Sequence, residues 1–68
     1  MKYGKVIKYD NYVGSIIDDN GNIYIFTNDD LKESININDY VMFLPEVYET
    51  IEIKELRARF IKKYVNNN

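Results

Sequence analysis

A chain of 68 residues makes one domain at the lower limit of independent folding, burying only about 60% of the surface its unfolded form exposes. With no cysteine and no histidine, it has no disulfide staple, no zinc site of the Cys/His kind, and no Cys–His or Ser–His–Asp catalysis. Nine basic and eleven acidic residues leave a net charge of −2, so the overall basic footprint of a nucleic-acid-binding domain is missing. Stability must come from the core, and the 46% hydrophobic content is rich in Ile, Val, Tyr and Phe. Those types pack well on a pleated surface, which favours an all-β barrel.

In chain order, Lys5–Tyr9 (KVIKY) mixes apolar and basic residues at strand length. Asp10-Asn11 supplies turn chemistry, and Val13–Ile17 (VGSII) reads as a second strand with an internal glycine. Asn20-Gly21, inside the run Asp18–Asn22, is the strongest local signal. Asn-Gly prefers positive φ at both central positions and predicts a tight hairpin. Ile23–Thr27 (IYIFT) is the returning strand. Asn28–Leu31 predicts a short helical turn near residues 28–33, with Asn28 or Asp29 as N-cap. Asn36–Asp39 is a further turn, and Tyr40–Leu44 (YVMFL) a fourth strand that Pro45 ends or places at an edge, because proline cannot donate to a ladder.

Glu46–Val65 reads two ways. Glutamates at 46, 49, 52 and 55, with Ile53, Leu56, Phe60 and Tyr64 on one face, suit a helix. As a strand, Leu56, Ala58 and Phe60 alternate inward against Arg57, Arg59 and Ile61. These residues alone leave the two open. Residues 1–65 are one domain, and 66–68 a disordered polar tail.

The order of features resembles the cold-shock domain family. Gly4-Lys5-Val6-Ile7-Lys8-Tyr9 resembles its opening Gly-x-Val-x-x-aromatic strand, and Gly14-Ser15-Ile16 its second-strand motif. Ile23-Tyr24-Ile25-Phe26 is similar in alternation to the third-strand motif, Asp29-Asp30-Leu31 loosely matches the turn after it, and Asn38–Phe43 resembles the fourth strand's Gly-x-x-Val-x-Phe. There Asn38 stands where the family has a glycine, a substitution that a positive φ tolerates. The resemblance implies a small five-stranded Greek-key barrel of the OB type, closed by a final strand near Leu56–Lys63, that binds single-stranded RNA or DNA on the face of strands 2 and 3, by base stacking over cations.

On that reading Gly14, Ile16, Ile23 and Ile25 face inward. Val13, Ser15, Tyr24 and Phe26 face the ligand with Tyr12, and Lys5, Lys8, Arg57 and Arg59 contact phosphates. The positions of Lys8, Val13 and Ser15 hold aromatics in the family, so binding is expected to be weak. Several rival readings stand beside this one. Tyr24 and Phe26 instead pack under Glu46–Glu55, and the basic stripe Arg57–Lys63 instead guards an edge strand. An apolar patch of Val13, Ile17, Tyr24, Phe26 and Met42 instead serves a protein partner or a weak homodimer. Glu49, Glu52 and Glu55 bordering the face would disfavour nucleic acid.

No enzymatic activity, cofactor or metal is expected, since no nucleophile–base pair or Gly-rich phosphate loop is present and the aspartates at 18, 19, 29 and 30 lack the ligand order of a calcium loop. No segment nears the roughly 20 apolar residues that span a bilayer, and Met1-Lys2-Tyr3 lacks a secretory h-region. A cytoplasmic protein without membrane contact, monomeric or weakly dimeric, is expected.

Overall fold

The computed structural model describes residues 1–65; the tail expected at 66–68 lies outside the described residues. Five strands form a closed barrel: β1 (Lys2–Tyr9), β2 (Val13–Asp18), β3 (Ile23–Thr27), β4 (Tyr40–Glu49) and β5 (Lys54–Lys63). The spatial order is β1-β2-β3-β5-β4, with β1 pairing β4 to close the ring and β3 running parallel to β5 at Ile25↔Arg57. This is a small OB-like barrel. A 3₁₀ turn, Asn28–Asp30, follows β3 where the helical turn was expected.

β1 is long because it serves two partners. Lys2–Lys5 pairs β4 and Gly4–Tyr9 pairs β2, and a bulge between Val6 and Lys8 interrupts the β2 register. A bulge adds one residue to one strand and bends it, so Ile7 and Lys8 both lie outside while Val6 is buried. Asn38 at φ 79° donates its N–H to the Val6 carbonyl at 2.8 Å, and the Val6 N–H returns to the Asp39 carbonyl at 2.9 Å. Asn tolerates this left-handed backbone at low cost, and the link fastens the loop before β4 to the bend.

The core consists of Val6, Ile16, Tyr24, Phe26, Ile35, Val41, Phe43, Ala58 and Ile61. Phe26 lies against Tyr9 and Tyr24 against Phe43, with ring centroids 5.6 and 4.9 Å apart. Ile35, on the loop between the 3₁₀ turn and β4, plugs the core. Gly14 and Gly4 are required by close approach. A Cβ at Gly14 would lie 2.5 Å from the Lys8 carbonyl oxygen and 2.8 Å from Cε1 of Phe26, and one at Gly4 2.5 Å from the Ile17 carbonyl oxygen.

The segment after Pro45 is strand throughout its paired length. β4 runs through Pro45 to Glu49, and β5 returns to pair Glu46↔Arg57, Val47↔Leu56, Tyr48↔Glu55 and Glu49↔Lys54. Pro45 is tolerated because β1 pairs β4 only as far as Phe43, leaving the outer edge beyond it without a partner strand. Leu56 still packs against the core, and the last two pairs carry this arm about 7 Å past the barrel wall. Its tip is an ordered loop: the Thr50 N–H donates to the Ile53 carbonyl at 2.7 Å, and the Thr50 hydroxyl oxygen accepts from the N–H groups of Glu52 and Ile53.

In β5, Leu56 and Ala58 turn inward as expected, but Phe60 does not. The register slips opposite Phe43, between Met42↔Lys62 and Leu44↔Arg59, and Phe60 takes φ 54°. This extra residue shifts the alternation by one, so Ile61 is buried and Phe60 exposed beneath the Lys32 ammonium, 4.8 Å from its ring centroid.

The β2–β3 turn carries a polar lock. Asp18 is nearly buried; its Oδ1 accepts from the N–H groups of Asn20 and Asn22 at 2.9 Å, and its Oδ2 from Asn22 Nδ2 at 3.1 Å and the Tyr24 hydroxyl at 3.0 Å. Burial alone would raise this carboxyl; the donors from Asn22, Tyr24 and Asn20 outweigh it and hold the group at about 2, against 3.8 ordinarily. A folded-state value below the unfolded one means that Asp18 stabilises the fold fully above about pH 4. That contribution is lost as pH falls toward about 2. Urea midpoints measured across that window should fall for the wild type, and should fall less for Asp18→Asn, which starts less stable near neutrality. Equal acid limbs in the two proteins would count against the lock.

Candidate interaction face

The outward side of β1, β2 and β3 is set by the β2–β3 register, in which Ile17 opposes Ile23, Ser15 opposes Ile25 and Val13 opposes Thr27. Residues directly opposite share a face, so these six point outward together, and Gly14/Phe26 and Ile16/Tyr24 point inward together. Tyr24 is 3% exposed and Phe26 0%, whereas Ile23 and Ile25 are 42% and 40% exposed. The expected ligand-facing set on β3 is therefore corrected: Tyr24 and Phe26 belong to the core, and Ile23 and Ile25 to the surface. Tyr24 and Phe26 pack among the barrel's own core residues and not under Glu46–Glu55.

The cause is one residue in the turn. A two-residue Asn-Gly turn would pair Asp19 with Asn22 and turn Ile23 and Ile25 inward. The observed loop has three residues, Asp19-Asn20-Gly21, with Asp18 N–H donating to the Asn22 carbonyl at 3.0 Å and Gly21 N–H to the Asp18 carbonyl at 3.1 Å. Only Gly21, at φ 84°, adopts the left-handed conformation in this turn, as a three-residue hairpin with a terminal left-handed glycine requires. A slip of one residue moves every side chain to the opposite face.

The face is aliphatic. An open groove of about 440 Å³ runs between the β1 bulge, β2, β3 and the loop before β4, lined by Ile7, Val13, Ile25 and Ile37 with Lys8 and Ser15. Val13 and Ser15 point outward as expected, and Tyr12 projects beside them, exposed, on a turn fixed by Asp10. The Asp10 carboxylate accepts from the N–H groups of Val13 and Tyr12 at 2.9 Å, which holds it below its ordinary value. Lys5 and Lys8 are exposed on the same face, with no ion pair among the described residues.

The two arginines are differently employed. Arg59 Nε lies 2.6 Å from Asp30 Oδ1, and its Nη1 3.4 Å from Glu46. Glu46 and then Asp30 raise the Arg59 guanidinium above its ordinary value. Asp30 is buried and also accepts from the Thr27 N–H at 2.8 Å, so the pair ties the 3₁₀ turn to β5. Arg57 reaches Asp30 at 3.9 Å and Glu55 at 4.0 Å and lies over the Tyr48 ring. Both positive charges are thus matched by carboxylates within the chain. Glu49 and Glu52 sit on the arm and do not border the groove.

A separate cluster went unread in the sequence because its members are far apart in the chain. Tyr64 packs edge-on against Tyr3 (4.9 Å) and Tyr40 (6.0 Å), all three partly exposed where β1, β4 and the end of β5 meet. Lys5 opposes Tyr40, and Tyr3, Met42 and Lys62 form a cross-strand row.

Among the described residues no group of acidic side chains is arranged to hold a metal, and no helix is long and apolar enough to cross a membrane. No protein-family model, curated protein or solved structure matches the chain.

Proposed function

We propose that this barrel is a protein-binding module without catalytic function, and that the outer face of β1, β2 and β3 is its binding surface. The observation that carries the reading is the composition of that face. Isoleucine and valine side chains surround a shallow groove where a single-strand binder needs aromatic rings. Aliphatic surface gains by excluding water against other apolar side chains, and the rings beside it, Tyr9 and the exposed Tyr12, stand at the edge of the groove and not across its floor. The neutralised arginines support the same reading, leaving Lys5 and Lys8 as unmatched cations that favour an acidic partner segment.

Single-stranded nucleic acid, the ligand that the cold-shock resemblance implies, is the second reading. It is favoured by the tyrosine cluster Tyr3, Tyr40 and Tyr64 with Lys5 and Lys62 alongside.

Isoleucine-methyl and tyrosine NMR separates the two. An extended peptide alternating valine with glutamate should shift the methyls of Ile7, Ile25 and Ile37 saturably, while oligo-dT and oligo-U at about 0.05 M salt leave them unmoved. Saturable oligonucleotide shifts confined to the three tyrosines would move the function to that cluster. Oligonucleotide shifts on the isoleucine methyls, with none from the peptide, would overturn the protein-binding reading.

A further inference from the structure

We infer that the groove takes the β4–β5 arm of a second copy of this chain, an inference that rests on the protein-binding reading above. The arm has the complementary chemistry. Its ordered tip presents Ile51 fully exposed and Ile53 more than half exposed, with Val47 more than half exposed at the base of the arm. Three exposed large aliphatic side chains on one hairpin give it apolar surface to set against a partner. Hydrogen bonds within the tip pre-order it, so little freedom is lost when it docks.

Charge agrees with shape. Between residues 46 and 55 the arm carries four glutamates and one lysine, a net −3 by count (one minus four). Glu46 is engaged by Arg59 and Glu55 by Arg57, which leaves Glu49 and Glu52 without ion pairs among the described residues. The groove is lined by one cation and one anion, Lys8 and Asp10, around Ile7, Val13, Ile25 and Ile37, and Lys5 stands beside it on β1, so its surroundings carry a net +1 by count (two minus one). An acidic, apolar hairpin and an apolar groove whose surroundings are weakly positive occur in one chain. Reciprocal insertion of each arm into the other copy's groove closes a two-fold dimer, whereas one-way insertion would propagate a filament.

Sedimentation of the full chain from micromolar to millimolar concentration tests this, at low salt and at about 0.5 M salt. A monomer–dimer equilibrium is expected, weakened at least tenfold by Ile51→Asp on the arm or Val13→Asp in the groove, and weakened by salt. Lys8→Glu should weaken dimerisation, and combining it with Glu49→Lys should restore it. These positions are exposed, and amide spectra of each variant report whether the barrel is intact. A monomer at every concentration, or a dimer indifferent to Ile51→Asp with the barrel folded, overturns the inference. If that monomer still binds the valine–glutamate peptide on its isoleucine methyls, the protein-binding reading survives. If it binds neither, both fall.

Discussion

Phe26→Ala should leave little folded protein, whereas its neighbour Ile25→Ala should cost less than about 1 kcal/mol. Phe26 has no exposed surface, lies against Tyr9 and fills the space that Gly14 leaves vacant. Truncating a buried phenylalanine costs roughly 3–5 kcal/mol, the lost transfer energy adding to that of the cavity. A 68-residue domain has a total stability of roughly 3–10 kcal/mol, so the loss consumes much of it. Ile25 is 40% exposed, and its removal takes area from the outer groove and none from the core. Urea titrations of both variants, with amide spectra, give the comparison. A neutral Phe26→Ala with a damaging Ile25→Ala would reverse the face assignment of β3, and with it the reading of the groove as aliphatic.

Gly14→Ala should destabilise by about 1–3 kcal/mol, although alanine restricts the unfolded chain and by that route alone stabilises by roughly 0.4–1 kcal/mol. Overpacking wins because the obstruction is not a flexible side-chain end. The new methyl meets the Lys8 carbonyl oxygen at 2.5 Å, so the β1–β2 pairing itself has to yield, and the Phe26 ring is displaced as well. Gly21→Ala is the control: nothing lies within 4 Å of its Cβ, and only its φ of 84° resists substitution, at a cost of roughly 1–2 kcal/mol. The two variants should differ in kind. Gly14→Ala should disturb amides across β1, β2 and β3, and Gly21→Ala only those of the turn. A Gly14→Ala protein as stable as wild type would mean that β1 and β2 are not in contact there.

The strand count and most strand positions are legible in the sequence because Ile, Val, Tyr and Phe cluster between turn residues, and Asn38 is legible because few residues other than glycine tolerate its φ. The faces of β3 are not, and the reason is specific. Ile23, Tyr24, Ile25 and Phe26 are all apolar, so alternation carries no information about which pair is inside. Turn length decides, and Asn-Gly is compatible with loops of two or three residues. In β5 a single bulge at Phe60 breaks the alternation, with no glycine to announce it. The pairing of Arg59 with Asp30 joins residues 29 apart in sequence, and only the barrel's closure brings β5 beside the 3₁₀ turn. A stripe of basic residues in sequence therefore says nothing about whether its charges are already matched.

The three-residue loop between β2 and β3 also bears on how such a surface changes over generations. Because β3 is apolar on both sides, loss of one codon from Asp19–Gly21 would exchange its interior and exterior sets in a single event. Tyrosine and phenylalanine would come to the surface and two isoleucines would go in, with no change to the strand's own residues. Point substitutions would have to pass through a barrel with a mismatched core to make the same exchange. Length variation in this one hairpin is thus a short evolutionary route between an aliphatic surface and an aromatic one on the same scaffold.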